Sequence, residues 1–143
     1  MKRALIITLW IMLGVVAGIR WAHAGDHIMA RVERALLEAG YVKAFGYSKL
    51  PPPRVEYKDH VAGGGWGSYR LGVIEISSRQ PTGCIPITLA HEVSHDLMVR
   101  MGILETVPTR EVMRELERAA HIAEAAVSAD DWAPNCVMKG SVR

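Results

Sequence analysis

The chain has 143 residues, half of them apolar, with 17 basic and 15 acidic side chains and a formal charge of +2. That length fits one domain with a modest core, and the composition excludes a natively disordered chain. Lys2, Arg3 and Arg20 fall in the first 24 positions with no acid among them, so residues 25–143 hold 14 basic and 15 acidic groups, a balance of −1; no basic stripe remains to argue for a nucleic-acid partner.

Met1-Lys2-Arg3 is a basic start, Ala4 to Ile19 is an apolar run, and Ala22-His23-Ala24 places small residues where a signal peptidase reads them. Residues 1–24 are therefore expected to be a signal peptide and residues 25–143 the working domain, exported to the periplasm or secreted. The alternative is a membrane anchor formed by residues 4–19, because that run is near the lower limit for a span. No other membrane contact is expected. Cys84 and Cys136 both follow this segment, in a setting where disulfides persist, and a Cys84–Cys136 bridge is the simplest pairing.

Residues from Gly25 to about Tyr47 read as a first helix, with Ile28, Val32, Ala35 or Leu36, Ala39 and Val42 at three- and four-residue steps and Asp26 as its cap. Gly40 is placed to end or weaken it. Pro51-Pro52-Pro53 stops helix formation, and Arg54 to Tyr57 alternates as a short strand. Ala62 to Ser68 is a glycine-rich loop carrying Trp66 and lacks the pattern of a nucleotide-binding loop. Tyr69 to Ser77 reads as the best strand of the chain. After a turn at 79–83, Pro86 suits a first helical turn, and Ile85, Leu89, Val93, Leu97 and Met101 form an apolar stripe ending at Gly102. Thr109 to about Ala129 is the last long helix, with Val112, Met113, Leu116, Ala120, Ala123 and Val127 expected on its inward face.

The second of these helices contains His91-Glu92-Val93-Ser94-His95. Residues four apart share a helix face, so His91 and His95 can aim two imidazole nitrogens at one point, opposite the apolar stripe, with Glu92 beside them. Two neutral nitrogens and an adjacent carboxylate are what a catalytic zinc ion requires.

Such a site needs a third protein ligand. Met98 and Met101 occupy the Gly and His positions of the metzincin extension, which leaves a glutamate of the last helix. The motif helix runs about 10 Å from His95 to Gly102; a returning helix reaches the same level about 12 Å in, at Glu117, whereas Glu124 lies about 22 Å in. Glu117 is also read on the inward face, where an unpaired carboxylate is costly. Glu124 is the reserve, and His121 is a ligand or a partner of one.

From about Tyr69 to Val127 the chain resembles the gluzincins, the thermolysin-like zinc metallopeptidases, and especially their minimal forms, the minigluzincins. A strand precedes His91-Glu92-x-x-His95, and a later helix carries Glu117-Arg118-Ala119-Ala120-His121, where many members have Glu-x-x-Ala-Asp. The resemblance implies an α+β fold: a minimal zincin-like domain with an N-terminal helix, a small β-sheet, the motif helix and a C-terminal glutamate helix. It implies zinc bound by His91, His95 and Glu117, and peptide-bond hydrolysis by zinc-activated water with Glu92 as general base. It also implies that the strand around Val73 to Ser77 lies along the cleft and holds an extended peptide or protein substrate. The chain departs from the family in having His121 where an Asp supports a zinc histidine. Tyr69, His60 and His121 are the candidates for stabilising the transition state. The alternative is a non-catalytic zincin-like binding protein that uses the cleft or the metal structurally.

Overall fold

The computed structural model describes residues 25–104, 109–128 and Cys136. The expected signal segment, residues 1–24, lies outside the described residues, as does most of the tail after 128. The described part is α+β, with three helices and a small three-stranded mixed sheet.

Helix α1 covers residues 25–38 and buries Ile28, Met29, Val32 and Leu36. It ends earlier than the periodicity predicts. Gly40, at φ 97°, ends it: the Tyr41 amide donates to Leu36 and the Gly40 amide to Leu37, which satisfies the last carbonyls and reverses the chain. Val42 consequently lies outside the helix and is exposed, and Asp26 sits within the helix rather than capping it. Two short 3₁₀ turns follow, Val42–Ala44 and Tyr47–Lys49, and Glu33 holds the second by accepting the amides of Gly46 and Ser48.

The strands are β1 (Arg54–Lys58), β2 (Gly67–Arg70) and β3 (Val73–Ser77), in the order β1-β3-β2. β1 runs parallel to β3 and β2 antiparallel to it. The single strand expected from Tyr69 to Ser77 is thus a hairpin. Leu71 and Gly72, at φ 36° and 83°, make a two-residue turn of the kind that matches the twist of its strands. β3 is the central strand and is not the edge; Ile74 and Ile76 face the core, while Glu75 is buried on the other side by Lys58, Arg70 and Ser68.

Helix α2 (Ile85–Arg100) lies over β2 and β3, and α3 (Arg110–Ser128) packs back along α2. The predicted stripe holds at Leu89, Val93 and Leu97, which are buried. Burial extends much further round α2 than an amphipathic helix requires: Thr88, Ala90, Ser94, Asp96 and Met98 are buried too. Asp96 explains how a charged group is tolerated there, since it accepts from the Tyr47 hydroxyl (2.7 Å) and pairs with Arg100 (2.6 Å). The Cys84 and Cys136 sulfurs are at bonding distance, tying the start of α2 to the segment beyond α3. Among the described residues, no helix is long and apolar enough to cross a membrane.

Candidate metal centre

Between Ile87 and Val99 of α2, His91, His95 and Val99 form a narrow, partly exposed strip among buried residues. The i,i+4 spacing brings the two imidazoles edge to face, with centroids 4.7 Å apart. α3 supplies the carboxylate across from them. Glu117 Oε2 lies 3.8 Å from His91 Nε2, and Glu117 Oε1 lies 3.8 Å from His95 Nε2. One donor atom from each of His91, His95 and Glu117 falls within 4.8 Å of the others.

The two expected glutamates are sorted by this geometry. Glu117 faces the Nε2 atoms of both rings, while Glu124, two helical turns on, takes the other nitrogen of one ring: His91 donates from Nδ1 to Glu124 Oε1 at 2.7 Å. His121 donates to the second oxygen of Glu124 at 3.2 Å. His121 therefore contacts the supporting carboxylate and is not part of the three-donor group. The expected burial of Glu117 is corrected: its side chain is 48% exposed at the mouth of the cleft, and Met113 on the same side of α3 is exposed as well. Ala119 is buried in the packing face instead, because small side chains let α3 approach α2 closely.

Glu92 is buried directly beside this group. Its burial has a specific cause at Gly67, the first residue of the edge strand β2. A Cβ added there would lie 2.6 Å from Glu92 Oε1, 2.7 Å from Thr88 Cγ2 and 2.8 Å from Glu92 Cγ. Only glycine lets the strand rest on the carboxyl. Gly67, Ser68 and Tyr69 then form one wall of a cleft of about 650 Å³, with His91, Glu92 and His95 at its base and Glu117 opposite.

Electrostatics separate the roles. Burial pushes the Glu92 carboxyl up to about 7, with Glu117 and Glu124 adding to the shift and His91 opposing it. Burial takes His95 down to about 4, helped by His91, so this ring is neutral. Burial also favours a neutral His91, but the hydrogen bond to Glu124 and the charges of Glu92 and Glu124 outweigh it and raise its pKa. Glu124 is destabilised as an anion by burial, yet the hydrogen bonds from His91 and His121 hold its pKa below the ordinary value. His95 Nδ1 is buried without a hydrogen-bond partner among the described residues.

The three residues considered for transition-state stabilisation are dispersed. Tyr69 lines the cleft, but its hydroxyl accepts from the Gly72 amide at 3.1 Å. His60 lines a separate pocket with Trp66 and Arg79, and His121 binds Glu124. Two participants were missed in the sequence. Gly67 had a signal, a glycine at a strand end, which often marks close backbone approach. Asp96 had none, since its partner Tyr47 is 49 residues away. No family model matches the chain, and no curated protein or solved structure proved similar to it.

Proposed function

We propose that His91, His95 and Glu117 hold a zinc ion and that the chain is an exported zinc-dependent peptidase of the gluzincin type with a minimal zincin-like domain. The observation that carries this reading is the convergence of three donor atoms within 4.8 Å, with Glu92 buried beside them at the base of an open cleft.

The donor chemistry fits. Two imidazole nitrogens and one carboxylate are a catalytic zinc set that leaves a position for water, and tetrahedral bonds of about 2.1 Å put donors roughly 3.4 Å apart, close to the 3.8 Å found for both His–Glu117 pairs. Glu124 holds the Nδ1 proton of His91, which leaves the Nε2 lone pair toward Glu117. His95 is neutral, as a ligand must be.

Zinc, when bound, supplies the Lewis acid that activates water at neutral pH and polarises a carbonyl. Glu92 is the general base: its carboxylate, buried beside the three donors, takes a proton from water and returns it to the leaving amine. β2 is an edge strand among the described residues and stands beside these groups, where an extended peptide adds as a further strand through backbone hydrogen bonds. Export is supported by the Cys84–Cys136 pair.

A second reading, a non-catalytic zincin-like binding protein, is favoured by one observation: His60 lines a separate pocket and His121 contacts Glu124, so neither joins the three-donor group. Metal analysis of purified residues 25–143, together with cleavage of an unfolded protein by wild type and Glu92→Gln, separates the readings. The peptidase predicts one zinc per chain in both proteins and cleavage by wild type alone. Zinc without any cleavage selects the binding protein, and absence of zinc refutes both.

A further inference from the structure

The cleft continues past Met113 and Glu117 onto an open face of α3, since both residues line the cleft and that face alike. Arg110, Arg114 and Arg118 recur there at four-residue steps and are all exposed. Of the four glutamates of the helix, Glu111 is exposed and does not line this face, and the other three have other commitments. Glu115 accepts from the Tyr41 hydroxyl, Glu124 accepts from His91 and His121, and Glu117 faces both histidines of the metal group. Among the described residues, none of the three arginines forms an ion pair or a hydrogen bond. The result is a cationic ladder that starts at the positive end of the helix and climbs to the level of the metal group.

We infer that this ladder selects the substrate: it binds peptide segments bearing aspartate or glutamate side chains close to the bond to be cut. This rests on reading the cleft as a peptidase site. Arg118 and Arg114 stand about 2 and 5 Å from Glu117 along the helix axis, and Arg110 about 10 Å away. An extended peptide advances about 3.3 Å per residue, so acids within about three residues of the scissile bond fall opposite the ladder. Guanidinium groups meet carboxylates in two-point hydrogen bonds, which suits them to this task better than ammonium groups. An anionic segment is the occupant the charge favours, because three guanidinium groups and one carboxylate, Glu117, line this face.

The test uses fluorescent unstructured peptides that differ only in a Glu-Glu-Asp or Gln-Gln-Asn segment, with binding to the zinc-loaded chain followed by anisotropy at low salt. The acidic peptide is expected to bind at least about fivefold more tightly, with the preference lost in Arg110→Gln/Arg114→Gln/Arg118→Gln, retained in part in the triple Lys variant, and reduced at high salt. Equal binding of the two peptides, or a preference that survives the Gln substitutions, overturns the inference. Cleavage of the same peptides by wild type is scored separately and decides the peptidase reading, so the two failures are told apart.

Discussion

Gly67→Ala tests whether the edge strand positions Glu92, the proposed general base. The added methyl would sit 2.6 Å from Glu92 Oε1, 2.7 Å from Thr88 Cγ2 and 2.8 Å from Glu92 Cγ, against an ordinary contact of 3.4–4 Å. Relief therefore needs a shift of about 1 Å, either by β2 lifting from α2 or by Glu92 swinging out of its pocket. Overpacking of this size costs about 1–3 kcal/mol of stability, a melting temperature lower by roughly 4–15 °C. Moving a catalytic group by about 1 Å costs on the order of 100-fold in rate. The atoms nearest the added methyl belong to Glu92 and Thr88 and not to His91, His95 or Glu117, so zinc content is expected to stay at one per chain while kcat/KM on an unfolded protein substrate falls by that factor. Wild-type melting and wild-type kcat/KM in Gly67→Ala would refute the claim that β2 rests on Glu92.

Glu117→Ala and Glu124→Ala are expected to differ in kind: in a zinc titration, loss of Glu117 removes a ligand and abolishes stoichiometric binding, whereas loss of Glu124 weakens it by about 10–100-fold by releasing His91 Nδ1. Replacing both Cys84 and Cys136 by Ser opens a loop of sequence separation 52 and is expected to lower the unfolding free energy by about 2–4 kcal/mol in denaturant titrations; unchanged stability would show that the pair is not bonded in solution. Hydrogen bonds from Lys58 and Arg70 hold Glu75 at about 2, below its ordinary 4.5. Its folded pKa is depressed, so its contribution is complete above pH 4.5 and drains away as the pH falls from 4.5 toward 2. Urea melts at pH 6 and pH 3 should find wild type losing more stability over that interval than Glu75→Gln, and equal losses would contradict the assignment.

The grouping of His91, His95 and Glu117 was legible in the sequence because its geometry is local or nearly so. His91 and His95 need only the helix period, and Glu117 follows from matching the rise of two helices joined by a short connection. The support of His91 was not legible, since the position where the resemblance places a supporting Asp holds His121, and the carboxylate that contacts His91 is Glu124 from the next turn, with His121 beside it. Which side of α3 faces α2 decides this, and Ala119, a residue without chemistry, sets that packing. The hairpin at Leu71-Gly72 was hidden for a different reason: a leucine at positive φ sits within a run of strand-favouring residues and reads as strand. Splitting that run moved the edge of the cleft from Val73–Ser77 to Gly67–Arg70, which is why the contact between Gly67 and Glu92 was not foreseen.

The central claim is that His91, His95 and Glu117 together hold zinc, and zinc K-edge X-ray absorption of the metal-loaded chain addresses it most directly. Two imidazole nitrogens at about 2.0–2.1 Å and oxygen donors at about 2.0–2.2 Å, with one imidazole lost in His95→Ala, are the expected result. A shell of oxygens alone, or a shell unchanged by His95→Ala, would contradict it.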